Sequence, residues 1–192
     1  MTKPQASSMI LYLTIVCLLV GVTGARKGPK SVQKWFRKLP HVKEKQTQLH
    51  FYFHDQVGGK NPTVVAVAHA NSTFGSPTMF GLVMVVDNQL TVGPDPRSKI
   101  VGRAQGIMNY ASMEEMGMLV TINFVFTGGK YNGSTLSVVG YNPIQHKYRE
   151  MTVVGGSGVF RLARGVATAE TAAFDAKSGN AVVEYHVMVL HY

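Results

Sequence analysis

Cysteine is almost missing from this chain of 192 residues; Cys17 is the only one. A single thiol excludes an internal disulfide and a cysteine-rich metal site. Charge is scarce too, Asp, Glu, Lys and Arg together making up 15 %, so burial of apolar side chains must hold the fold. No apolar run is long enough to cross a bilayer as a helix. The longest, residues 9–20, has twelve residues, where about 20 are needed. Glycine patterns for nucleotide binding or a nucleophile elbow are also lacking, since Gly155-Gly156-Ser157-Gly158-Val159 fits neither. Histidine spacing offers no metal site. His50 and His54 share a strand face but stand about 13 Å apart at ~3.3 Å per residue, and His41, His69, His146, His186 and His191 show no ligand spacing. No metal, cofactor or unaided oxidation of a substrate is therefore expected.

What is present begins with an export signal. The apolar run 9–20 follows a polar start with Lys3 and precedes small residues through Ala25, the layout of a secretory signal peptide spanning 1–25. Its removal would take Cys17 with it. Two sequons, Asn71-Ser72-Thr73 and Asn132-Gly133-Ser134, are candidate glycosylation sites on an exported chain. The net charge of +9 is concentrated in an arm, residues 26–45, with eight Lys or Arg against Glu44. Residues 46–192 carry ten basic and nine acidic side chains. A nearly neutral domain excludes a broad nucleic-acid face. The basic arm reads either as an attachment to an acidic wall polysaccharide or as a solvated tail.

From residue 46 the chain reads as strand after strand. Segments 49–55, 63–71, 78–86, 99–110, 118–127, 134–141, 148–154, 159–171 and 181–191 are rich in Val, Ile, Phe, Tyr and Thr. Gly, Pro, Asn and Asp clusters punctuate them, among them Asp87-Asn88 and Asn142-Pro143. Residues 112–115 allow one helical turn. Eight or nine strands without βα alternation predict an all-β, antiparallel barrel in preference to a sandwich. The stretch 149–168, REMTVVGGSGVFRLARGVAT, is hinged by Gly155, Gly156 and Gly158, which calls for positive φ or close backbone approach in a turn or bulge.

Alternation then nominates side chains. Leu49, Phe51, Phe53 and Asp55 share one face of the first strand, so Asp55 stands beside apolar neighbours that would raise its pKa. The competing reading is that Asp55 simply starts a turn. Arg149 shares a face with Met151 and Val153, and an inward guanidinium calls for a carboxylate or a bound oxygen ligand. Asp87 and Asn142 are expected at strand ends, facing the same opening or serving only as turn residues. Tyr110 and Phe124 either line a cavity or fill the core.

Several segments together resemble the dirigent proteins of plants: FYFHD ending at Asp55, VGRAQG at 101–106, NFVF at 123–126, YNGSTL at 131–136, the stretch 149–168 and the closing VVEYHVMVLHY. The resemblance spans 46–192. It implies an eight-stranded antiparallel barrel forming dimers or trimers in the apoplast or cell wall. It also implies stereochemical guidance, without oxidation, of phenolic radical coupling in lignan biosynthesis. The phenolic partners would be coniferyl alcohol-type radicals or quinone methides, supplied by a separate laccase or peroxidase. On this resemblance Asp55 and Arg149 are the catalytic pair, and Asp87, Tyr110, Phe124 and Asn142 bind substrate. Asn142 departs from the aspartate of lignan-forming members, and the disulfide of many such members is lacking. Both departures look like the branch containing pterocarpan synthases, which implies the alternative of a cofactor-free isoflavanol dehydratase.

Overall fold

The computed structural model describes residues 28–192. The expected export segment 1–25, with Cys17, lies outside the described residues, as do Arg26 and Lys27. The chain divides into two compact units at Val42.

The first unit contains a helix that strand-seeking periodicity missed, α1 (Pro29–Lys38), followed by a short 3₁₀ turn at Leu39–His41. Pro29 opens it, where a missing N–H costs nothing, and Arg37 and Lys38 sit in the last turn, where cations favour the helix dipole. Val32, Trp35, Phe36 and Leu39 recur at the 3,4 spacing of one helix face. The arm is thus helical over these residues, and none of them is buried.

The second unit holds nine strands: β1 (Lys45–Asp55), β2 (Val64–Ala68), β3 (Val83–Thr91), β4 (Ile100–Tyr110), β5 (Gly117–Phe126), β6 (Thr135–Pro143), β7 (Arg149–Ser157), β8 (Arg164–Asp175) and β9 (Asn180–His191). Neighbours pair antiparallel in the order β1-β9-β8-β7-β6-β5-β4-β3-β2. The second half of β3 also pairs with β1, Phe53 standing opposite Leu90. Eight strands therefore close into a barrel, and β2 lies outside the closure along the first half of β3. Closure removes the free edges that an exposed sheet would present.

Alternation decides which side chains enter. In β5, Met118, Val120, Ile122, Phe124 and Phe126 are buried while Leu119, Thr121 and Asn123 face out. In β9, Tyr185, Val187, Val189 and His191 point inward. The buried set forms one continuous core.

Two expected turns are strand. Asp87-Asn88 lies in the middle of β3, and Asn142-Pro143 ends β6. The turn before β3 comes earlier, with Met79 at φ 57° and Gly81 at φ 88°. Residues 112–115 form bends without a helical turn, and β8 starts at Arg164 after a 3₁₀ turn at Gly158–Phe160. The glycine hinge is as expected in kind. Gly158 has φ 64°, and the register of β6 against β7 shifts opposite Val154, the unpaired residue of a bulge.

Register also sorts residues by barrel end. The close of β1, β4 and β6 and the start of β7 and β9 fall at one end, bringing Asp55, Tyr110, Asn142 and Arg149 together there. The opposite end is filled by rings: Phe126, Tyr131, Phe160 and His191, with successive centroids 4.9 to 5.9 Å apart.

Candidate functional site

Asp55 ends β1 on the same face as Phe51 and Phe53, both nearly fully buried. Burial pushes its carboxyl up to about 6, with the amide of Asn88 opposing part of that rise. Asn88 Nδ2 donates to Asp55 Oδ1 at 2.9 Å, and Asn88 in turn accepts from the Thr63 hydroxyl. The acid is therefore held in place and largely protonated below pH 6.

Arg149 opens β7 on the same face as Met151 and is 4 % exposed. Its donors reach neutral oxygens: the carbonyls of Ala169 at 3.4 Å and Ile144 at 3.3 Å, and Thr171 Oγ1 at 2.9 Å. No carboxylate among the described residues forms an ion pair with it. A guanidinium has five N–H donors, and neutral oxygens engage one on each of its three nitrogens. Desolvation lowers its pKa, with partial relief from Tyr185 and Glu170.

Two phenols complete this end. Burial, then the charge of Asp55, pushes Tyr110 up to about 12. Tyr185 is raised by burial, lowered by Arg149 and raised again by Asp55, so its ring stands within the field of both charged groups. Both phenols are neutral donors at ordinary pH. Asn142 is buried and its Oδ1 has no hydrogen-bond partner. An orphaned acceptor facing a barrel interior suits a hydroxyl brought by a guest. On the rim, a groove of about 310 Å³ opens beside Asp55, walled by Ala173, Phe174, Ala181 and Val182.

Other nominated residues sit elsewhere. Asp87 points out of the barrel, its carboxylate 2.5 Å from Arg103 Nε, because parity along β3 sends Met84, Val86, Asn88 and Leu90 inward instead. It does not face the opening. Phe124 is fully buried, packing edge-on to Phe51 at 4.9 Å and to Tyr185 at 5.4 Å; it fills the core and lines no part of the rim groove. Asn88 and Tyr185 were not nominated. The parity argument used for Asp55, applied to β3 and β9, finds both. Spacing along one strand does not show that the register sets His186 of β9 directly opposite His50 of β1.

A closed antiparallel barrel thus gathers an acid, a guanidinium and two phenols at one end, groups whose chemistry suits hydrogen bonding and proton exchange with an oxygen. Comparison with known proteins makes this specific. The family of dirigent-like proteins matches residues 46–190, and the chain belongs to it. It is 43 % identical to Dirigent protein 23 of Arabidopsis thaliana over the full length of both. It is 48 % identical to Pterocarpan synthase 1 of Glycyrrhiza echinata over 155 residues, 80 % of this chain and 82 % of that one. A solved structure of a pterocarpan synthase dirigent protein superposes with a TM-score of 0.74 at 48 % identity, covering 78 % of this chain and 92 % of the other.

Proposed function

We propose that this chain binds a phenolic alcohol at the polar end of its barrel and, like the pterocarpan synthases among its relatives, removes water from it with closure of a ring. One observation carries this reading: a buried carboxyl pushed up to about 6 at the same barrel end as a buried guanidinium hydrogen-bonded to neutral oxygens. Asp55 donates its proton to the departing benzylic hydroxyl, which leaves as water. The conjugated phenol of the guest loses its own proton, giving a neutral quinone methide. Arg149 stabilises the phenolate charge that develops on the way. A second phenol of the guest attacks the methide carbon; its proton and the one released earlier restore the first phenol and Asp55, so the net change is loss of one water. No oxidant or cofactor enters the balance. Sequence alone ranks a non-oxidising guide first; a buried acid placed to protonate a leaving hydroxyl supports the dehydratase reading.

Stereoselective coupling of coniferyl alcohol-type radicals made by a laccase or peroxidase remains the second reading. Full-length identity to a relative named only as a dirigent protein favours it. Under either reading we place the chain in the extracellular space as a homo-oligomer. The exposure of Asn71 and Asn132 supports glycosylation there. The basic face of α1 supports attraction to wall polyanions, which would appear as salt-sensitive retention on immobilised polygalacturonate.

The deciding experiment incubates purified protein with an isoflavanol and no oxidant, and in parallel with coniferyl alcohol and laccase, both followed by chiral chromatography. Ring closure in the first supports the dehydratase. Enantiomeric excess in the second alone supports the guide. An unchanged product distribution in both overturns the proposal.

A further inference from the structure

On the outer wall, away from the polar end, the register gathers a second set of chemically active side chains. His50 of β1 and His186 of β9 are direct cross-strand partners, as are Tyr52 and Glu184. The two imidazoles lie nearly parallel, 14° apart, with centroids separated by 4.4 Å. Both turn Nε2 toward the same carboxylate oxygen: His50 Nε2 is 2.6 Å and His186 Nε2 is 3.7 Å from Glu184 Oε1. Tyr52 donates its hydroxyl to that oxygen at 2.9 Å. Glu170 of β8 stands directly opposite Glu184 on the same face, adding a second negative charge where like charges face each other at a cost.

We infer that His50, Glu184 and His186 form a binding site for a divalent zinc ion, with water completing the fourth position. Two neutral imidazoles and a carboxylate form a donor set suited to zinc. All three ligand atoms lie within 4.8 Å of one another. A tetrahedral zinc with ligand bonds of about 2.1 Å needs them about 3.4 Å apart. The side chains of His50 and His186 are 44 % and 60 % exposed, so rotation about their own bonds closes the difference without moving backbone. Tyr52 then supplies the outer-shell hydrogen bond that orients a ligating carboxylate. Because β1 and β9 are the first and last strands, the ion would clamp the two ends of the barrel domain together.

The test is calorimetric titration of the tag-free full chain with zinc chloride in a non-chelating buffer, alongside thermal melts. The expected result is saturation at one ion per chain and a higher Tm. His186→Ala and Glu184→Gln should each weaken binding at least about tenfold. His146→Ala is the control, because His146 pairs with Glu115 alone. Failure to saturate, or affinity unaltered by His186→Ala, would overturn the site, as would loss of binding in His146→Ala. Co²⁺ offers an independent readout: an intense tetrahedral visible spectrum is expected with the native chain and only the weak aquo spectrum with His50→Gln. A strong spectrum surviving in His50→Gln counts against the assignment.

Discussion

The two ends of the barrel are built from the same strands and differ in almost everything else. One is stoppered by Phe126, Tyr131, Phe160 and His191 in mutual ring contact. The other carries Asp55, Tyr110, Asn142 and Arg149, with Tyr185 within the field of both charged groups. At the stoppered end the rings of Phe126, Tyr131 and Phe160 gain by leaving water. At the polar end, burial raises Asp55 and lowers Arg149, so those groups cost stability where they stand. Labour is divided between the ends: aromatic packing holds one, and the unfavourable ionisations gather at the other.

The division can be broken most severely from the aromatic side. Phe160 is fully buried, and Phe160→Ala should cost about 3–5 kcal/mol, read as a fall in the denaturant midpoint, with the polar end's ligand affinity retained in whatever remains folded. Undiminished stability would show that the rings are not the stopper.

At the other end Asp55→Asn should reverse the balance. The folded carboxyl titrates near 6 against 3.8 unfolded, so the native state binds more protons between those values and stability falls as pH rises through that window. Removing the acid should therefore stabilise the protein above pH 6, by at most about 3 kcal/mol, with no gain below pH 4. The same variant should lose more than about 100-fold in turnover. In the native protein, kcat/KM should decline as pH rises past about 6. Melts and rate profiles across pH 4–8 check both halves, and a flat profile would remove Asp55 from the chemistry.

Asn142→Asp sharpens the contrast by adding a second carboxyl to the polar end. Like charges in a dry site favour the neutral acid, so the falling limb of the pH profile should move up by about one unit. The smallest effect belongs to Asp87→Ala. Its partner Arg103 is on the outer surface and both side chains are substantially exposed, so stability should change by less than about 1 kcal/mol and turnover not at all.

Parity explains both what was legible beforehand and what was not. Leu49, Phe51, Phe53 and Asp55 share a face because successive side chains alternate, and that needs no partner strand. Arg149 with Met151 and Val153 follows the same way. Asp87-Asn88 misled because Asp and Asn are the usual currency of turns. In the barrel Asn88 finds Asp55 and Thr63, and Asp87 finds Arg103, so both polar groups are satisfied inside a strand. Helix α1 was missed because its apolar spacing is short and embedded in basic residues.

Composition and alternation alone determined an all-β domain, its inward and outward faces and the isolation of positive charge in the arm, since these depend on each residue and its immediate neighbours. Only tertiary structure decided which strand lies beside which. That choice set Asn88 on Asp55, left Arg149 without a carboxylate, and stacked His50 on His186 from positions 136 residues apart in the chain. Cross-strand register comes from closing the whole barrel at once, and no local stretch of sequence contains it.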